Sequence, residues 1–408
     1  MLFRRLTVTT GLLIAVALGA VGAMVAVLVL AAAPERTSGT AQPADRRPAP
    51  TTTTADAPPT TSLPAATTTT TAPTTTASAC AGVIADLPPR RQLAQLLMVG
   101  VDPGRVEPAA ELVRTVGVGG IFVGGNDTAL LSGGGIDRVQ AVSAVPLTVA
   151  VDEEGGRVQR IDELDGPIPS PRAMARDLTT DQVRDLARER GAALRGRGVT
   201  IDFAPVVDVS GQPDDSVIGD RSFGEDPATV TRYAGAFAQG LRDSDVLPVL
   251  KHFPGHGRAS GDSHESTVVT PPLADLEAVD LVPYRELLGP DRPAAVLVGH
   301  VDVPGLTDGQ PATLSPATYA LLHDEFDFDG VSYTDDLAAM KAVTARYPLP
   351  EAVVTALGAG VDVAFWSSPA QINEVLDLLE NAVATGRLPR QRVDEALDRV
   401  LRAKGLCG

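Results

Sequence analysis

Eight short apolar runs recur between residues 95 and 366, most of them separated by stretches with helical periodicity. They read QLLMVGV (95–101), GGIFVGG (119–125), PLTVAVD (146–152), VTIDFAPVVDV (199–209), VLPVLKH (246–252), AAVLVGHVDV (294–303), GVSYTD (330–335) and GVDVAFW (360–366). Amphipathic patterns over 227–242, 315–325, 371–385 and 390–403 supply helices between or after them. Strand-like runs alternating with helices at this spacing predict repeated βα units and a parallel sheet. Eight units match an α/β fold of the (β/α)8, TIM-type barrel class.

The reactive side chains fall in one place along these runs. Asp152, Asp208, Lys251 with His252, Asp302 and Asp335 stand at or just past the C-terminal ends of their strand candidates. In a closed barrel those ends form one face, where active sites are assembled from several loops. A doubly wound sheet also binds ligands beyond its strand ends, so the placement alone fits both architectures. The Gly-rich stretch GVGGIFVGG is not a dinucleotide fingerprint, because Phe122 occupies the position of the third Gly of G-x-G-x-x-G. It reads as close packing.

Composition divides the chain of 408 residues near Cys80. From Gly11 to Ala33 there are 23 residues without a charge, preceded by Arg4 and Arg5. At ~1.5 Å per residue this length crosses a ~30 Å hydrocarbon core. An uncleaved signal anchor over residues 1–33 is favoured over a cleaved signal peptide, because the apolar region is long and Pro34 follows the small residues Ala31, Ala32 and Ala33. The positive-inside tendency then keeps the N-terminus cytoplasmic and exports the rest. Residues 34–79 are rich in Pro, Thr and Ala, and 14 of the 29 residues from Thr51 to Ala79 are Thr, so no core can form there. As an extended linker this segment reaches roughly 140 Å, at ~3.1 Å per residue.

Residues 80–408 form the expected folded domain, with 29 Lys+Arg against 48 Asp+Glu. So acidic a surface repels nucleic-acid backbones and anionic headgroups, which leaves the N-terminal anchor as the expected membrane contact. Two cysteines cannot build a four-cysteine zinc site. Cys80 and Cys407 bracket the domain, and in an exported chain they are expected to form a disulfide rather than remain free thiols.

Residues 251–264 read KHFPGHGRASGDSH and hold Lys251, His252, His256, Asp262 and His264, three of the five histidines of the chain. A zinc reading is poor, because Pro254, Gly255 and Gly257 prevent the regular helix that the His252/His256 spacing needs. A catalytic loop is the better reading. Asp262 stands two residues before His264 on a Gly-Asp-Ser-His turn, where a carboxylate can fix the imidazole tautomer and stabilise its protonated form.

With VDEEGGRVQR (151–160), IDFAPVVDV (201–209), IGDRSFGEDP (218–227) and YTDDLAAM (333–340), this loop resembles glycoside hydrolase family 3, in its β-N-acetylhexosaminidase branch. The resemblance covers about residues 90–405, and the five blocks stand in the family's order. It implies metal-independent and cofactor-free, retaining hydrolysis of terminal β-linked N-acetylglucosamine on a (β/α)8 barrel. It further implies Asp335 as nucleophile, the His264 and Asp262 dyad as acid/base, and Asp152, Arg160, Arg221, Lys251 and His252 as sugar-binding residues. Retention needs a nucleophile below the anomeric carbon and a proton donor at the leaving oxygen. A His donor becomes neutral after giving up its proton, which suits an anionic aglycone better than a carboxylate does.

Two positions leave the family pattern. Glu153 stands where Gln or His is common, and Trp366 ends a strand that is usually plainer, either stacking on a second sugar or filling an apolar gap. Three other readings stay open: an inactive, membrane-tethered glycan-binding protein, a phosphorolytic enzyme, and a β-glucosidase of the same family. The β-glucosidases usually draw their acid/base from a domain after the barrel, which the GDSH loop makes unnecessary. An exported, tethered enzyme points to cell-wall glycan or its fragments as substrate.

Overall fold

The computed structural model describes residues 80–261, 266 and 268–407. The anchor and linker expected over 1–79, and Asp262 and His264 of the proposed dyad, lie outside the described residues. Among the described residues no helix is long and apolar enough to cross a membrane.

Among the described residues ten strands follow in chain order: β1 (Leu97–Val101), β2 (Gly120–Val123), β3 (Thr148–Val151), β4 (Ile201–Asp202), β5 (Leu247–Phe253), β6 (Val268–Val269), β7 (Ala295–Val298), β8 (Val301–Asp302), β9 (Ser332–Thr334) and β10 (Ala364–Trp366). Eight of them build one all-parallel sheet in the order β10-β1-β2-β3-β4-β5-β7-β9. It closes on itself as a barrel. β1 pairs with β10 through Leu97↔Ala364 and Val99↔Trp366, and β9 meets β10 through Thr334 N to Val363 O at 3.1 Å and Val363 N to Ser332 O at 3.0 Å. Every apolar run forecast from the sequence holds one barrel strand, with β5 running one residue past its forecast run to Phe253. The run 294–303 contains two strands, since β7 ends at Val298 and β8 pairs with β6 in a small side sheet.

Helices cover the outside, and their ends follow local sequence chemistry. Helix Pro227–Arg242 begins where Asp226 accepts the Thr229 amide at 2.9 Å, with Pro227 in the first turn where its missing N–H costs nothing. Helix Thr180–Gly196, which packs against it, starts with a Thr179/Gln182 capping box. The forecast helix over 315–325 is Pro316–Ala320 continued by a π turn, Leu321–Glu325.

Four rings fill the barrel interior. Phe203 lies 5.6 Å from Phe122, 5.5 Å from Phe365 and 5.7 Å from Tyr333, and Phe122 lies 4.9 Å from Phe365. Phe122 thus serves the core, and Gly119 beside it leaves no space for a side chain, since a Cβ there would meet Gln95 O at 2.0 Å. Trp366 is 0% exposed and its indole N–H donates to Ala370 O at 3.3 Å, so of the two roles open to it the ring fills the apolar layer and cannot stack on a sugar. Cys80 and Cys407 are joined by a disulfide with a Cα separation of 5.2 Å, which ties the helix Ala81–Asp86 to the end of the helix Arg390–Ala403.

Candidate active site

The site grows from β5. Lys251 and His252 are neighbours in sequence, and a regular strand would send them to opposite faces. Here the Lys251–His252 peptide bond is cis and the β5–β7 register slips by one residue between Lys251 and Phe253, irregularities that redirect side chains at a barrel rim. Both side chains therefore serve the C-terminal mouth. Lys251 Nζ lies 2.6 Å from Asp152 Oδ1 and 2.6 Å from Glu154 Oε1, which brings in the loop after β3. Arg221, from a short 3-10 turn at Gly219–Arg221, meets Glu154 with both Nε and Nη2 at 2.8 Å. Its Nη2 also lies 3.5 Å from His252 Nε2.

Buried charges survive when they are paired. Burial opposes ionisation of Glu154, but Arg221 and Lys251 outweigh it and hold the carboxyl well below the usual range. Burial likewise opposes protonation of Lys251, yet Asp152 and Glu154 raise the ammonium above its ordinary value. Both groups are charged throughout the neutral range. Glu154 is thus the bridging carboxylate between two cations, a role that the motif DEEGG did not reveal.

His252 is oriented from the far side. Its Nδ1 lies 2.7 Å from Asp208 Oδ2, while Asp208 Oδ1 accepts the His256 amide at 2.7 Å. Asp208 is buried. Burial works against its charge, and the His252 and His256 imidazoles with the His256 amide overcome that and keep it ionised. The stem of the Asp262/His264 loop is fixed on the opposite flank, where Arg258 Nε and Nη2 reach Asp280 Oδ2 at 2.9 and 2.6 Å. Ser260 N donates to Val269 O at 2.9 Å, which closes the base of the loop.

Asp335 follows β9 directly. Its amide donates to Val298 O at 3.0 Å, and its Oδ1 accepts the Asp336 amide at 2.9 Å. Burial would raise this carboxyl, but His300, His252, the Asp336 amide and Lys251 together lower it below the ordinary aspartate value. The result is an ionised, half-buried carboxylate at the barrel mouth. Asp336 does different work, capping the following turn through the amides of Ala338 at 2.9 Å and Ala339 at 3.1 Å. His300, unremarked in the sequence, lies buried between β7 and this turn, with Nε2 3.0 Å from Asp336 O and Nδ1 against Thr313 Oγ1.

Arg160 stands at the rim, its Nη2 3.6 Å from Asp152 Oδ2. What holds it there is Glu153, which is 0% exposed. Glu153 Oε2 accepts the amides of Arg160 at 2.5 Å and Ile161 at 3.2 Å, folding the 153–161 loop back on its own start. Asp302 is the strand-end residue that the structure removes from the site. It ends β8 in the side sheet, and its Oδ1 accepts from Thr307 Oγ1 at 2.8 Å and Gly309 N at 3.0 Å. Among the described residues no group of three or more His, Cys, Asp or Glu side chains is placed to hold a metal ion.

An ionised carboxylate beside a rim of charged hydrogen-bonding side chains can both grip a polyhydroxylated ligand and attack it. Comparison with known proteins points the same way. The family described as Glycosyl hydrolase family 3 N terminal domain matches residues 90–403. The beta-hexosaminidase LpqI of Mycobacterium tuberculosis is 52% identical over 332 residues, which is 80% of this chain and 85% of that protein. A beta-hexosaminidase of Tolumonas auensis is 35% identical over 283 residues, covering 67% and 83%. Among solved structures, a family 3 glycosyl hydrolase of Mycobacterium smegmatis superposes with a TM-score of 0.77 at 52% identity, over 80% of this chain and 99% of that one. A family 3 beta-N-acetylglucosaminidase from a Paenibacillus species gives a TM-score of 0.71 at 31% identity, over 78% and 62%. The chain is a glycoside hydrolase and belongs to glycosyl hydrolase family 3.

Proposed function

We propose that the protein is a retaining exo-β-N-acetylhexosaminidase that removes terminal β-linked N-acetylglucosamine from cell-wall glycan or its fragments. The observation that carries this reading is Asp335, an ionised carboxylate at the end of β9 beside the Lys251, Glu154, Arg221 and His252 network. Asp335 attacks the anomeric carbon and forms a covalent glycosyl-enzyme as the leaving oxygen takes a proton from His264. His264, made basic by that transfer and oriented by Asp262, then draws the proton from the water that releases the sugar. Asp152, Arg160, Lys251 and His252 engage the hydroxyls of the terminal sugar, with Arg221 acting on the same ring of charges. The names of the beta-hexosaminidase relatives support the choice of an N-acetylated sugar.

Parallel hydrolysis of β-N-acetylglucosaminyl and β-glucosyl aryl glycosides tests the reading. Release from the first and not the second is expected, with a β-configured product; equal turnover of both would remove the hexosaminidase assignment. Product analysis with and without phosphate separates hydrolysis from phosphorolysis.

We further propose that residues 11–33 tether the enzyme outside the cytoplasmic membrane, with 34–79 as spacer. The length of the uncharged run and the Thr/Pro composition support this. Protease added to intact spheroplasts should degrade the catalytic domain, and protection of that domain would defeat the export claim.

A further inference from the structure

The floor of the barrel, at the strand ends opposite Asp335, carries an open cleft of about 910 Å³. It is bounded by the starts of β2, β3, β4 and β5 and by the C-terminal helix that carries Lys404 just past its end. The domain as a whole is strongly acidic, yet this wall presents Arg195, Arg242, Arg399, Arg402 and Lys404 against Asp137, Asp245 and Asp329. Arg399 pairs with Asp329 at 3.3 Å and with Asp362 at 3.2 Å, and Arg402 with Asp329 at 3.0 Å and with Asp398 at 2.8 Å, so both are already neutralised. Among the described residues the hydrogen bonds of Arg242 go to the neutral Gln239 Oε1, at 3.2 and 2.9 Å.

Lys404 is the most telling of these groups. Its Nζ donates to Gln95 Oε1 and to Gly119 O, each at 2.8 Å, and neither acceptor carries a charge. An ammonium has three N–H donors. Among the described residues the third has no acceptor, and no carboxylate pairs with the group.

We propose that the barrel floor is a binding site for a small oxyanion, phosphate or carboxylate in class, with the Lys404 ammonium as its primary contact and the Arg242 guanidinium on the same wall. This goes beyond the hexosaminidase reading and does not depend on it. Without an anion, burial lowers the Lys404 amine to about 7. A bound anion favours the protonated form, so binding is strongest below that value and weakens as pH rises through it. The carboxylates of Asp137 and Asp245, facing the cavity from the helix Gly135–Gln140 and the turn after Arg242, oppose binding and restrict it to ligands that reach Lys404.

The chain contains only three lysines, Lys251, Lys341 and Lys404, which makes a residue-resolved test simple. The full-length protein is acylated under limiting reagent and the three sites are followed by peptide mass spectrometry, with inorganic phosphate or acetate against chloride at matched ionic strength. Near neutral pH Lys404 should react at least about tenfold faster than Lys341, because far more of it is free base. Phosphate or acetate, whichever is the preferred class, should slow Lys404 alone. Protection of Lys251 instead would mean that the anion sits at the catalytic mouth and would overturn the proposal, as would a Lys404 that resists acylation in anion-free buffer. By calorimetry, Lys404→Gln should bind the anion at least about tenfold more weakly, the loss of one charge-assisted contact, with glycosidase turnover unchanged. Equal binding by the variant would overturn it too.

Discussion

His252 Nδ1 lies 2.7 Å from Asp208 Oδ2 in a buried pair, and the other oxygen of the same carboxylate holds the amide of His256. One aspartate therefore orients a proposed sugar-binding imidazole and fixes the root of the loop that continues to Asp262 and His264. Asp208→Asn keeps the shape and one acceptor but removes the charge. A hydrogen bond to a charged group contributes about 1.5–3 kcal/mol, so kcat/KM should fall about 10- to 100-fold with little change in melting temperature. Wild-type kinetics in the variant would show that the pair is structural only.

Glu153 positions Arg160, a proposed sugar-binding residue. Its carboxylate accepts two consecutive amides of the 153–161 loop, and Arg160 is one of them. Glu153→Ala should free that loop and raise KM more than it lowers kcat. Glu153→Gln keeps an acceptor for both amides and should restore most of the affinity, while turning an amide N–H toward Arg190, which lies 3.7 Å from Oε1. Steady-state kinetics on one aryl glycoside checks the split. Equal losses in kcat for both variants would place Glu153 in the chemistry instead.

Much of this was legible in the sequence, for definable reasons. Barrel strands are short, apolar and periodic, and the strand-end positions of Asp152, Lys251, His252 and Asp335 follow from where each run stops. Asp302 misled because the run 294–303 looks continuous, although the barrel strand ends at Val298 and the chain then turns into the side sheet. Glu154 was invisible as a bridge because its two cations come from 67 and 97 residues further along the chain, a proximity only the closed barrel creates. The burial of Trp366 likewise depends on the helical layer outside β10, which no local pattern encodes.

Asp202 should make stability depend on pH. Burial raises its carboxyl well above the ordinary aspartate value, helped by the neighbouring Glu153 and Asp152 charges and resisted by the Glu153 amide and Lys251. A carboxyl whose folded pKa is raised favours folding while protonated in both states, and that contribution is lost as pH rises from the unfolded value through the folded one. Asp202→Asn keeps the acceptor for the Glu153 amide at 2.9 Å without the charge. Its melting temperature should gain on the wild type as pH rises from 5 to about 8. A constant offset across that range would mean that Asp202 does not titrate there.

The Cys80–Cys407 disulfide closes a loop with a sequence separation of 327 residues, nearly the whole described domain. Long loops gain most from cross-linking, and removing such a bond typically costs about 2–4 kcal/mol. The double substitution Cys80→Ser and Cys407→Ser should lower the unfolding free energy read from denaturant melts by that amount and leave kcat intact, since the bond joins the two ends of the described domain and is not at the mouth. Unchanged unfolding after substitution would show that the helices at the two ends hold without it.

Asp335 and His264 should fail in different ways. If Asp335 is the nucleophile, Asp335→Ala abolishes turnover of every glycoside, because no leaving group compensates for a missing attack at the anomeric carbon. If His264 is the acid/base, His264→Ala removes only the proton donor, whose help contributes about 10²- to 10⁴-fold. That help matters most when the leaving group is a sugar alcohol and least when it is an acidic phenol. The variant should therefore retain appreciable glycosylation of a dinitrophenyl glycoside and lose activity on a disaccharide, and Asp262→Ala should give a weaker form of the same pattern by removing the group that orients and charges the imidazole. Equal losses on both substrates would assign His264 to binding or folding, and full activity in Asp335→Ala would overturn the mechanism.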